Sequence, residues 1–306
     1  MSSKTIMMNN QFSLFLFMLL SGACSAGWFS ISDTSFLKAT LEGDFATVKK
    51  YIDAGSDVNK PKDSAGSDGL GRAINYGGKE SDDAQLKTVK LLIAAKADVN
   101  LLIPVVKGVN DAGGSPLMEA LQWKRYEIAQ LLIDAKADVN MFQKLKINKF
   151  VTIQGSNPLV TAVIEQDLVA VKFLIAAGAK PDILTTAKSP DRCPLFLAVS
   201  QAKDGTSIKI LESLLSVNKI NVNIQDKDEM TPLINAVYMR YKKMVEMLLA
   251  AGADPNIIAW KSKENPKGAN IVTLFNAGFG KENGNKHDET IGSMLQAAKE
   301  AANSEL

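Results

Sequence analysis

From Asp33 onward, polar and apolar positions recur in one block. A small polar residue is followed by proline and leucine, an alanine comes three residues after the leucine, and a pair of adjacent apolar residues follows. The block closes on a small residue, an acid and an asparagine. The clearest copy opens at Thr231-Pro232-Leu233-Ile234-Asn235-Ala236, continues through Met244-Val245 and Leu248-Leu249, and closes at Gly252-Ala253-Asp254-Pro255-Asn256. Further openings stand at Ser115-Pro116-Leu117, Asn157-Pro158-Leu159 and Cys193-Pro194-Leu195. Divergent ones stand at Thr34-Ser35-Phe36, Asp68-Gly69-Leu70 and Val272-Thr273-Leu274.

The block predicts two short helices. Thr231, Ser115 and Asn157 are good N-caps, and proline directly after the cap loses nothing by lacking an N–H. The alanine lets two helices approach closely, and pairs such as Leu131-Leu132 or Leu174-Ile175 mark the inward face of the second helix. Gly55, Gly178 and Gly252 fall at the left-handed position that ends it. Lys96 and Lys136 replace that glycine, at an expected cost of about 1 kcal/mol each.

These motifs, whose alanines recur at intervals of 34 to 47 residues, resemble the ankyrin-repeat family, with its T-P-L-H-x-A opening and G-A-D-V-N close. The closing motif returns as Gly55-Ser56-Asp57-Val58-Asn59, Ala97-Asp98-Val99-Asn100, Ala137-Asp138-Val139-Asn140 and Gly178-Ala179-Lys180-Pro181-Asp182. The resemblance implies an all-α solenoid of helix–turn–helix units with elongated β-hairpin fingers. It covers residues 27–306 as about six repeats and a divergent C-terminal cap. One repeat cannot bury its apolar face alone, so stability must come from stacking.

Three connections exceed the family's tight turn. They run from Leu101 to Gly114, Met141 to Gly155 and Ile257 to Ile271. The second alternates Phe142, Lys144, Lys146 against Leu145, Ile147, the period of an extended strand. Such apolar fingers either pack on each other or are covered by a partner. Polar insertions at Gly77 to Ala84, Ala202 to Thr206 and Gly280 to Glu289 read as loops between the two helices of a repeat.

Residues 1–26 are different. Lys4 precedes a short apolar run, Phe12 to Leu20, and then Ser21-Gly22-Ala23-Cys24-Ser25-Ala26, the layout of an export signal. Cleavage near Ala23 or Ala26 is favoured. The alternative is a lipid anchor at Cys24, since the segment resembles the lipobox of bacterial lipoproteins, although Ser21 stands where that box prefers a large aliphatic residue. An exported chain, periplasmic or envelope-anchored, with no membrane span after signal removal is expected, with secretion as the alternative. No Asn-X-Ser/Thr sequon occurs, which favours bacterial export.

Composition narrows the function. A formal net charge of +2, with only Arg72, Arg125, Arg192 and Arg240 as guanidinium, argues against nucleic acid. His287 is the single histidine and Cys24 and Cys193 the two cysteines, too few for a usual zinc site. Phosphate-loop, dinucleotide and serine-nucleophile motifs are missing, so no catalytic residue, metal or cofactor is expected. The expectation is a monomeric, non-enzymatic scaffold for a protein partner in the bacterial envelope. The alternative is a secreted, host-directed effector of the same fold.

In ankyrin families the partner usually lies on the concave face, between finger tips and first helices. Carried to matched positions, the resemblance implies a partner site drawn from Arg72, Tyr76, Glu119, Trp123, Tyr238 and Met239, with Phe142 and Trp260 on the fingers. Aromatics beside arginine are what binding hot spots contain. The competing reading is that the aromatics cover the core between repeats.

Overall fold

A computed structural model describes residues 31–63, 66–75, 82–102, 114–142, 144–146, 152–154, 156–183, 193–200, 202, 205–226, 229–259, 268–276 and 289–304. The chain divides into two compact units, between residues 111 and 112.

The first unit contains two helix pairs among its described residues: α1 (Asp33–Glu42) with α2 (Phe45–Asp53), and α3 (Gly69–Asn75) with α4 (Asp82–Ala94). α1 packs on α3 and α2 on α4. The Phe36 ring, fully buried, stacks on Tyr51 with centroids 4.1 Å apart. Gly69 passes so close that a Cβ there would lie 2.7 Å from the Phe36 ring.

Two expectations change here. The first helix does not open at Thr34: Ser32 is its cap, accepting the Ser35 N–H at 3.2 Å. With no proline to fix the start, the helix reaches back to Asp33, an acid well placed in a first turn. The insertion expected from Gly77 to Ala84 is also shorter, since Asp82, Asp83 and Ala84 are already helical in α4. Acids suit a helix N-terminus, and Asp83 pairs with Lys87 one turn on, at 3.0 Å.

The second unit holds five pairs among its described residues. They are α5 (Pro116–Gln122) with α6 (Tyr126–Asp134), α7 (Pro158–Ile164) with α8 (Leu168–Ala176), α9 (Pro194–Ser200) with α10 (Gly205–Leu215), α11 (Pro232–Tyr238) with α12 (Lys242–Ala250), and α13 (Ile271–Asn276) with α14 (Glu289–Ser304). The first helices stack in order, α5 on α7, α7 on α9, α9 on α11 and α11 on α13. Gly205 and Thr206, expected in a loop, instead begin α10.

The sequence motifs become hydrogen bonds. Ser115, Asn157 and Thr231 accept the N–H of Met118, Val160 and Ile234 at 3.3, 2.7 and 3.2 Å. In three repeats of this unit the motif alanine ends its helix through its own carbonyl: Ala120, Ala162 and Ala236 accept from Arg125, Asp167 and Tyr241 at 2.7, 3.0 and 2.9 Å. The inner leucines do the same for the second helices, with Leu132, Leu174 and Leu248 accepting from Ala137, Ala179 and Ala253 at 2.9 Å. Gly55, Gly178 and Gly252 are left-handed, and so are Lys96 and Lys136 at φ 64° and 70°. Lys124, Gln166 and Arg240, at φ 56°, 54° and 60°, make the corresponding turn between the two helices of a repeat.

Leu117, Leu159, Leu195 and Leu233 are buried in this core. Two of the long connections form antiparallel hairpins. β1 (Lys144–Lys146) pairs with β2 (Thr152–Gln154), and β3 (Ile258–Ala259) pairs with β4 (Ala269–Asn270). Residues 103–113 of the remaining finger lie outside the described residues.

Candidate protein-binding surface

Within the second unit each helix pair has one end at the turn between its two helices and another at the connections to neighbouring pairs, where the hairpins after α6 and α12 stand. α5 starts at the connection end and its seven residues, about 10 Å of helix, carry the chain to the turn. Trp123 is the C-cap there, followed by the left-handed Lys124, and 51% of its surface is exposed. Ile164 and Val169 flank the next turn of the stack, 41% and 58% exposed. Phe142 is half-buried and follows α6 at the opposite end, beside β1. Trp123 and Phe142 therefore belong to different edges of the unit.

The other sequence candidates divide. Glu119, expected on the exposed side of α5, is buried at 3% exposure. Its position precedes the motif alanine on a helix packed against α7, and Leu197 and Asn235 at matched positions are buried as well. Arg72 is committed inside the first unit: its guanidinium donates to Asp63 at 2.6 Å and to the Leu37 carbonyl at 3.1 Å. Tyr238 and Met239 close α11 half-buried. Tyr76, Trp260, Cys24 and His287 lie outside the described residues.

Beside Trp123 the stack is incompletely filled. A cavity of ≈ 150 Å³ opens between α5, α7 and α8, floored by Met118, Leu121, Pro158, Ala162 and Ala170. Its rim is polar, with Gln122 and Lys124 on the α5 side and Glu165 and Asp167 on the other. One lining residue is smaller than its counterparts in the neighbouring repeats. Four positions before the inner leucine, neighbouring repeats carry Ile128, Ile210 and Met244, all buried, whereas this repeat carries Ala170. That contrast can be read from the aligned repeats, but the volume it leaves depends on how α5 and α7 pack.

The rim is braced across repeats. The Tyr126 hydroxyl donates to Asp167 at 2.7 Å, while the other Asp167 oxygen accepts the Ala170 N–H at 3.0 Å and so caps α8. Burial and the Asp167 carboxylate push the Tyr126 hydroxyl up to about 12, so it remains a donor at neutral pH. Cys193 is a packing residue: it is buried, its thiol donates to the Pro181 carbonyl at 3.1 Å, and burial raises it to about 11. Among the described residues no group of three His, Cys, Asp or Glu could hold a metal ion.

A family model described as ankyrin repeats (3 copies) matches residues 36–143 and 159–259, more than half of the chain. The chain belongs to the ankyrin-repeat family. It is 32% identical over 115 residues to the ANK repeat-containing protein nipk-1 of Caenorhabditis elegans, covering 34% of this chain and 18% of that one. To the putative ankyrin repeat protein YahD of Escherichia coli strain K12 it is 23% identical over 182 residues, 58% of this chain and 79% of that one. Among solved structures, an ankyrin repeat domain from Acinetobacter baumannii AYE superposes with a TM-score of 0.55 at 23% identity, over 72% of this chain and 100% of that one.

The all-α ankyrin-repeat solenoid is thereby shown, and ankyrin repeats are generally non-enzymatic scaffolds for protein–protein interaction. No helix among the described residues is long and apolar enough to cross a membrane.

Proposed function

We propose that this ankyrin-repeat protein holds a protein partner in the bacterial envelope and carries out no reaction itself. The observation that carries the reading is Trp123, an indole half exposed on a rigid, capped turn. A large aromatic held in this way offers contact area at little entropic cost. Phe142 and the hairpins at the opposite edge add a second surface, along the lines usual in the family. The envelope location rests on the sequence of residues 1–26, with Lys4, the run Phe12 to Leu20 and the small residues around Cys24.

In vivo crosslinking followed by pull-down from the exporting cell, coupled to membrane fractionation, tests both halves. A discrete crosslinked partner in the envelope fraction is the expected result. Recovery of a cytoplasmic species that retains Met1 to Leu20 would overturn the location. Recovery mainly from the medium would favour the secreted, host-directed alternative.

A further inference from the structure

Building on that protein-binding reading, we propose that the cavity beside Trp123 is an anchor pocket for a partner segment presenting one Phe- or Leu-sized side chain next to a Lys or Arg.

The volume and the lining set the anchor. The pocket, ≈ 150 Å³ and open to solvent, has an apolar floor of Met118, Leu121, Pro158, Ala162 and Ala170 and room for one side chain of about phenyl size. The second unit has a built-in control for this void, because Ile128, Ile210 and Met244 stand where Ala170 does and are buried in their own repeats. An apolar side chain seated there would cover this floor, so the repeat gains from an incoming anchor by burying apolar surface. Gln122 and Lys124, on either side of Trp123 in sequence, form the α5 side of the mouth through which an anchor would enter.

The charges set the neighbour of the anchor. On the α7–α8 side of the rim, Asp167 has both carboxylate oxygens engaged by Tyr126 and Ala170, whereas Glu165 is exposed at the mouth. A cation arriving there meets two carboxylates. Lys124 stands across the mouth on the α5 side, so the field is polarised and the basic residue of the partner has one favoured direction.

The test uses the full chain and small probes, followed by amide chemical shifts. The probe is N-acetyl-phenylalanyl-arginine amide, with alanyl-arginine and phenylalanyl-glutamate analogues as controls. Saturable shifts at Leu121, Ala162 and Ala170 are expected. Binding should be at least about tenfold weaker for the alanyl analogue, as loss of a buried phenyl ring demands. The glutamate analogue should also bind more weakly, and Glu165→Lys should reverse that preference. Ala170→Ile should raise the melting temperature and abolish the shifts. Ala170→Val, a smaller filling, serves if the isoleucine strains the fold.

Absence of saturable shifts, or unchanged shifts in a folded Ala170→Ile protein, would overturn the pocket. Equal binding of the arginine and glutamate probes would overturn its assigned chemistry. These outcomes do not depend on crosslinking in cells, so a failed pull-down with an intact titration would count against the scaffold reading alone.

Discussion

The Asn140 side chain clamps the following repeat: its Oδ1 accepts the Lys180 N–H at 2.9 Å, while its Nδ2 donates to the Gly178 carbonyl at 3.4 Å. Asn223 repeats the clamp on Asp254 and Gly252 at 2.8 and 3.5 Å, and Asn59 makes it on Asp98 and Lys96 inside the first unit at 2.7 and 3.1 Å. A carboxamide is needed because one end accepts and the other donates. The closing asparagine of the motif is thus an inter-repeat hydrogen-bonding device.

Asp182 breaks the series. It accepts the Asn221 N–H at 3.0 Å but has no donor for the carbonyl of the left-handed Lys219. Asp182→Asn should therefore add a bond and raise stability by about 0.5–1.5 kcal/mol, the net worth of one hydrogen bond. Asn140→Ala should lower stability by about 1–3 kcal/mol. Urea titrations of the two variants check this, and a destabilised Asp182→Asn protein would refute the clamp at that repeat.

Residues that carry their own constraint were legible in the sequence. Proline after a cap fixes a helix start, so α5, α7 and α11 begin where expected, while α1, lacking one, begins earlier at Asp33. Gly55, Gly178 and Gly252 announced left-handed turns, but Lys124, Gln166 and Arg240 adopt the same conformation with no glycine to mark it. The candidate site was less legible. Trp123 could be read as exposed, but Glu119 could not be read as buried, because its environment comes from the neighbouring helix rather than from its own.

Asn157 caps α7 through Oδ1, yet its Nδ2 is buried without a hydrogen-bond partner. Ser115 and Thr231 fill the same position with a hydroxyl and carry no such donor. Asn157→Thr should keep the cap and remove the unsatisfied group, raising stability by about 1–3 kcal/mol. Equilibrium unfolding compared with wild type is the measurement, and a net loss would show that the carboxamide has a role that the cap alone does not explain.

Asp68 makes one part of stability depend on pH. Its Oδ1 accepts the Gly71 N–H at 2.9 Å, while Oδ2 has no hydrogen bond and lies 3.9 Å from Lys62 Nζ. Burial pushes this carboxyl above its ordinary value of 3.8, against the pull of the Gly71 N–H and Lys62. With the folded value raised, the folded chain binds more protons than the unfolded chain in the window above 3.8, so stability falls as pH rises through it and then levels off. Asp68→Asn keeps a capping oxygen and removes the titration. The stability difference between variant and wild type should therefore grow from about pH 4 upward and reach a plateau near neutrality. A difference that stays constant across that range would sink the assignment.

The last expectation concerns Trp123 and separates binding from folding. Its indole is 51% exposed on a turn that is already fixed by the bonds from Lys124 to Leu121 at 2.9 Å and from Arg125 to Ala120 at 2.7 Å. Those bonds are made by backbone atoms, so removing the ring leaves the turn intact and opens no core cavity. Trp123→Ala should accordingly leave the melting temperature almost unchanged. The same change should weaken the complex by about 2 kcal/mol or more, since a few anchor residues carry most of the binding energy of an interface. The yield of the crosslinked partner, read beside a thermal melt of the same preparation, distinguishes the alternatives. A melting temperature lowered by many degrees with an undiminished crosslink would make the indole a packing residue. The partner surface would then have to be sought at the other edge, around Phe142 and the hairpins that follow α6 and α12.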